Sequence, residues 1–283
     1  MAQFLNTEEV LPGVSFTDDQ MVRYSKQIII PEVGLDGQKK IISGRVLIIG
    51  AGGLGSPVAY YLNAAGVGTI GIIDDDVVDL TNLHRQILHF TNDIGKSKVV
   101  SAEESLTALN PDCQIIACRE RLTASNAMEI IQDYDVVVDC ADNFSTKFLL
   151  NDACVIAGKP LFFGAVLRFV GQALTILPGE GPCYRCLFRM PPPSGIAPTS
   201  AQAGLLGVLP GTIGLIQATE VLKYFLDLGD LLVGKMLTYN LLTMDFSKIE
   251  IRKDPGCPVC GSNPTISEPA DWEQQVSDFR PNQ

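Results

Sequence analysis

Basic residues are in deficit: 21 Lys and Arg stand against 32 Asp and Glu, a net charge of −11. That balance repels a phosphate backbone and argues against nucleic acid as a partner. Long apolar runs are missing as well. The longest uncharged stretch, 190–219, starts with Met190 and the run Pro191-Pro192-Pro193, and Gly207, Pro210, Gly211 and Gly214 interrupt it again. It falls short of the roughly 20 consecutive apolar residues that a membrane span needs. No membrane segment is expected, and 212–228 is read as a buried or half-buried helix. Residues 1–13 lack a basic segment followed by an apolar one, so no secretory signal is read and a cytoplasmic protein is expected. No internal repeat is visible.

What is present describes an ordinary globular protein: 46% hydrophobic and 19% charged residues over 283, enough chain to bury a core without disulfides. The eight cysteines therefore read as thiols or metal ligands. Residues 1–43 predict an N-terminal helical arm, with Thr17-Asp18-Asp19-Gln20 capping a helix over 21–30 that Pro31 ends. From 44 to 261, short apolar strands at 45–49, 69–73, 114–118 and 135–139 alternate with helical patterns at 56–65, 98–109 and 124–132. Strands that are apolar on both faces and separated by helices predict an α/β fold, a Rossmann-like, mostly parallel sheet flanked by helices. Beyond Asn143 come a further helix and a strand near 160–163. The segments 171–177 and 235–242 alternate less with helices and predict a mixed or antiparallel C-terminal extension. Residues 262–283, polar and proline-containing, read as a weakly ordered tail.

Gly50-Ala51-Gly52-Gly53-Leu54-Gly55 satisfies GxGxxG directly after a strand and before a helix. Gly50, Gly52, Gly53 and Gly55 allow a tight turn, and the helix N-terminus offers free N–H groups to phosphate. Asp74, closing the second strand, is placed to accept hydrogen bonds from a ribose hydroxyl. Those features suit ATP and NAD equally, so an NAD-dependent oxidoreductase with a structural zinc stands as the alternative. The segment from Asp74 through Asp76 to Asn82 and Arg85, with Lys98 beyond it, favours ATP. Attack on the α-phosphorus builds negative charge that Arg, Lys and a metal ion stabilise. Asp142, just after the fourth strand, emerges at the carboxyl edge of the sheet, where it suits Mg²⁺.

With these residues assembled, the chain resembles the ThiF/MoeB/HesA family, relatives of the ubiquitin-activating enzymes, and within it most nearly MoeB. The likeness covers about 17–261. It rests on Arg23-Tyr24-Ser25-Lys26-Gln27, the glycine loop, Asn82-Leu83-His84-Arg85-Gln86, Lys98, Asp139-Cys140-Ala141-Asp142-Asn143 and two Cys-x-x-Cys pairs. The resemblance implies an enzyme that uses MgATP to transfer AMP to the Gly-Gly terminus of a ubiquitin-like sulfur-carrier protein and releases pyrophosphate. The carrier would serve molybdopterin, thiamin, cysteine or tRNA thiolation. By the same resemblance Gly53 contacts phosphate, Asp74 holds ribose, Asn82, Arg85 and Lys98 hold the triphosphate, and Asp142 serves magnesium and adenylation. A homodimer is implied, in which Lys26 reaches the partner protomer's ATP.

Two departures from the family pattern stand out. Lys26 replaces the usual arginine and lacks its planar fork. Ser200 replaces a loop cysteine, so a covalent step there is not expected. His84 stands where the family more often has Gln, and no catalytic role is read for it. About 20 polar residues after Cys260 are too few for a sulfurtransferase domain, which implies a separate sulfur donor. Cys183-Tyr184-Arg185-Cys186 and Cys257-Pro258-Val259-Cys260 suit a tetrahedral, structural zinc site. Cys113, Cys118, Cys140 and Cys154 read as core residues.

Overall fold

The structure, a computed structural model, describes residues 15–192 and 204–272. Thr17 opens the first helix with a reciprocal capping box: its side chain accepts the Gln20 N–H, and the Gln20 side chain accepts the Thr17 N–H. This helix, α1 (Asp18–Arg23), stops early, and a second short one, α2 (Ser25–Ile28), follows. The single helix expected over 21–30 is therefore two pieces, with Tyr24 between them. Its ring is 2% exposed and packed on Gly66, and its Oη accepts a hydrogen bond from Asn110 Nδ2 at 2.9 Å. Helix α3 (Gly34–Ser43) then leads into the sheet.

The strands are β1 (Arg45–Ile49), β2 (Thr69–Ile73), β3 (Gln114–Cys118), β4 (Val136–Asp139), β5 (Leu161–Leu167), β6 (Val170–Ile176), β7 (Lys235–Asn240) and β8 (Asp245–Glu250). They form one eight-stranded sheet in the order β3-β2-β1-β4-β5-β6-β7-β8. Pairs from β3 to β5 are parallel and pairs from β5 to β8 antiparallel, as the alternation of strands and helices predicted. Residues of β1 show why both faces had to be apolar. Val46 and Ile48 belong to one core with α3, α4 (Gly55–Ala65), α5 (Lys98–Leu109) and α9 (Val208–Leu226). Leu47 and Ile49 belong to the other, with α6 (Ala127–Gln132) and α7 (Phe144–Ala157).

Helix α9 begins before the expected 212–228 because Pro210 falls in its first turn, where a missing N–H costs nothing. A short α8 (Tyr184–Leu187) carries one Cys-x-x-Cys pair. Strand β8 was not anticipated: every residue of it is exposed, so no apolar alternation marks it. Part of the segment read as a weakly ordered tail packs against the body. Asp271 Oδ1 accepts the Ala124 N–H at 2.9 Å, and Trp272 lies beside Phe148 and Arg185. The remainder, 273–283, lies outside the described residues, as do 1–14 and the loop 193–203 with Ser200. Among the described residues no helix is long and apolar enough to cross a membrane.

Candidate active site and metal centre

Strand order reverses between β1 and β4, the place where a doubly wound sheet opens a crevice at its carboxyl edge. The loop after β1 turns sharply there. Gly50 has φ +100°, and a Cβ on it would lie 2.9 Å from the Cys140 carbonyl oxygen. A Cβ on Gly55 would lie 2.0 Å from the Gly50 carbonyl oxygen, so that glycine serves the close packing of loop on helix. The N-terminus of α4 thereby lies at the crevice, where the Ser56 N–H is taken by the Gly52 carbonyl at 2.9 Å and Pro57 has none, so donors for an anion come from the glycine loop before it.

Asp74 closes β2 and is held by two backbone donors: Ala51 N–H to Oδ2 at 2.8 Å and Asp76 N–H to Oδ1 at 2.9 Å. Burial pushes its carboxyl above the ordinary aspartate range, and Lys98 pulls against that shift. Lys98, on the first turn of α5, is itself 5% exposed and pairs with Asp76 Oδ2 at 2.8 Å. The Arg85 guanidinium donates to the Thr81 carbonyl at 2.8 Å, and His84 Nδ1 also meets that carbonyl at 3.0 Å. Asp142 is exposed and makes no hydrogen bond or ion pair among the described residues.

These elements enclose one cavity of about 1110 Å³. Gly50, Gly52, Gly53, Asp74, Asp76, Arg85, Lys98 and Asp142 all line it. Gly55 packs behind the loop. Asn82 is off the wall, its side chain engaged with Asp79 N–H in the cap of a 3₁₀ turn. Lys26 is exposed on α2 and off the wall of its own protomer's cavity. Phe169, Phe188, Met190 and Leu242 also line the cavity, and all four are exposed.

The two cysteine pairs meet although they are 74 residues apart. Cys183 and Cys257 bring their Sγ atoms to 3.6 Å, Cys186 and Cys260 to 3.3 Å, and all four sulfurs lie within 4.8 Å of one another. Sulfurs around a tetrahedral ion bound at roughly 2.3 Å stand about 3.8 Å apart, so the donor set fits such an ion. Burial, with the three neighbouring sulfurs, holds the Cys183 thiol far above its ordinary range, a cost that a divalent cation reverses. The Asp254 N–H points at Cys186 Sγ at 3.4 Å, a donor that favours thiolate.

The ThiF family model matches residues 24–259, most of the chain and all of the sheet. The chain belongs to the ThiF family. Its similar relatives include the sulfur carrier protein adenylyltransferase of Thermus thermophilus, 48% identical over 91% of this chain and 97% of that one. The SAMP-activating enzyme E1 of Haloferax volcanii is 48% identical over 88% of this chain and 92% of its own. Among solved structures, E. coli MccB with MccA-N7isoASN superposes at a TM-score of 0.75, covering 86% of this chain and 75% of that one. At 22% identity that likeness shows the fold.

Within this ThiF chain, the sequence reading passed over three buried polar groups near the crevice. Gln86 is 5% exposed, lines the cavity, and its Oε1 has no partner among the described residues. Lys147 lines it too, donating to Asp139 Oδ2 at 3.1 Å and to the Gly164 carbonyl at 2.6 Å. His89, 4% exposed, lies behind the glycine loop. The positions of Lys147 and His89 depend on partners distant in sequence, Gly164 and Ala51, which spacing does not reveal. Gln86 alone carried a local signal, since it directly follows Arg85.

Proposed function

We propose that this chain is an ATP-dependent adenylyltransferase that transfers AMP to the C-terminal Gly-Gly carboxylate of a ubiquitin-like sulfur-carrier protein. The carrier's carboxylate oxygen attacks the α-phosphorus, the bond from that phosphorus to the bridging oxygen breaks, and pyrophosphate departs with the electron pair. The product is an acyl-adenylate, open to sulfur from a separate donor. The observation that carries this reading is the convergence of the glycine loop, Arg85, Lys98 and the unpaired Asp142 on one cavity. The relatives named for sulfur-carrier activation support it.

In this reading the backbone N–H groups of Gly52 and Gly53 receive the phosphates, and Gly50, whose own N–H is taken by the Ile73 carbonyl at 2.8 Å, shapes the turn that presents them. Asp74, already oriented by two N–H groups, takes the ribose. Lys98 releases Asp76 and, with Arg85, meets the triphosphate as charge shifts toward pyrophosphate, while Asn82 acts through the capped turn that carries Arg85, whose N–H donates to the Asn82 carbonyl at 3.0 Å. Asp142, a free carboxylate lining the same cavity as the acidic run 74–76, fits Mg²⁺, which when bound neutralises phosphate charge. Cys183, Cys186, Cys257 and Cys260 would hold Zn²⁺ in a closed, structural site. Lys26 would act across a homodimer. The cavity, about 1110 Å³, exceeds the roughly 300–1,000 Å³ of small-molecule sites, a size that suits a nucleotide together with the carrier's extended tail.

The test is ATP–pyrophosphate exchange with carriers that end in Gly-Gly, followed by mass spectrometry of the carrier. Exchange with a gain of AMP on the carrier is expected. Absence of both with every carrier tried, together with binding of NADH, would overturn the proposal.

A further inference from the structure

We propose that His89 is a positioning residue for the nucleotide: it locks the glycine loop, the Arg85 segment and the Lys98 helix into a single geometry. This deepens the reading above and rests on it. Ala51 lies inside the glycine loop and is 1% exposed. Its N–H is taken by Asp74, and its carbonyl oxygen meets His89 Nε2 at 2.9 Å. The loop is therefore clamped on both sides of one residue, from two separate parts of the chain. A buried carbonyl left without a donor is costly, so the loop's path depends on that imidazole.

The other ring nitrogen reaches a different element. His89 Nδ1 lies 2.9 Å from Ser101 Oγ, and Ser101 stands three residues after Lys98, one turn along α5. Ser101 Oγ is also 2.9 Å from Asp93 Oδ2, and Asp93 is braced by the Phe90 N–H and by Lys96 Nζ, each at 2.9 Å. Along the backbone the His89 N–H donates to the Gln86 carbonyl at 3.1 Å, and the Gln86 N–H donates to that of Asn82 at 3.0 Å. This turn contains Arg85. One rigid plane with a hydrogen-bonding atom at each end thus spans the anion loop and the helix that presents Lys98.

The direction of the bonds follows from their partners. The Ala51 carbonyl only accepts, so Nε2 carries the proton. Burial lowers the imidazole's proton affinity, so Nδ1 and the Asp93 carboxylate compete for the one Ser101 hydroxyl proton, each at 2.9 Å from Ser101 Oγ. His89 does not line the cavity, so its effect on a nucleotide passes through Ala51 and Ser101.

The experiment measures MgATP binding to the full chain by calorimetry without any carrier, then ATP–pyrophosphate exchange. For His89→Ala the expected result is about tenfold weaker MgATP binding and a matching rise in the ATP KM. The carrier KM should stay within about twofold. His89→Gln, whose amide N–H reaches the Ala51 carbonyl, should recover most of the loss, and Ser101→Ala should weaken binding about threefold. Unchanged MgATP affinity in these variants overturns the inference. So does an equal loss in His89→Gln and His89→Ala, or a uniform fall in every parameter that tracks the folded fraction. If His89→Ala does not fold, His89→Gln and Ser101→Ala decide the matter by the same binding measurement. Wild-type protein that binds no MgATP at all would instead remove the nucleotide reading itself.

Discussion

At the scale of residues, Asp142 is, like Asp75, a cavity carboxylate with no partner among the described residues. Asp142→Asn keeps its size and removes its charge. Exchange should fall by at least about a hundredfold, while metal content and unfolding midpoint stay at wild-type values; full exchange in that variant would refute the assigned role. His89 makes a prediction about pH. Burial lowers its folded pKa, the Lys98 charge adds to that, and the Asp74 and Asp93 charges oppose it. The stability it contributes is complete above the unfolded value of about 6.5 and is lost as pH falls through the lower folded value. Denaturant unfolding of wild type should show that acid limb, and His89→Gln should flatten it. The glycines, Asp74, Arg85, Lys98 and Asp142 were legible in the sequence because each falls at a strand end or in a recognisable motif. His89 and Lys147 were not, since their partners Ala51 and Gly164 lie 38 and 17 residues away.

At the scale of elements, the parallel strands were readable because burial on both faces demands unbroken apolar runs. Chain segments with one wet face were harder to read. Strand β8 shows no apolar alternation, and the helix expected over 21–30 yields to the burial of Tyr24, a tertiary demand that overrides helical propensity. The tightness of the sheet can be tested at Gly71 in β2, where a Cβ would lie 2.1 Å from Tyr134 Oη. Gly71→Ala should cost about 1–3 kcal/mol, read as a lower denaturant midpoint at constant slope. Helix α2 invites another test, since a lysine stands where a fork-shaped side chain would grip phosphate better. Lys26→Ala should lower exchange and Lys26→Arg should preserve or raise it. No change in Lys26→Ala would show that this arm stays away from the nucleotide.

At the scale of the whole molecule, the cysteine cluster ties residues 74 positions apart. Closing a loop of that length costs about 4 kcal/mol of chain entropy on folding, which an ion bound by the four sulfurs would offset. Cys257→Ser should therefore abolish stoichiometric metal, measured by atomic absorption, and lower the thermal midpoint. The enclosed segment includes α9, whose Pro210 packs close behind Gly53, so nucleotide affinity should weaken with it. The sheet itself does not close: it ends at β8, which leaves a row of backbone donors and acceptors facing solvent. A bare margin of that kind is a template for another chain's strand. Here Asp245, Lys248 and Glu250 line it with charge, a guard against fibre-like stacking at high concentration.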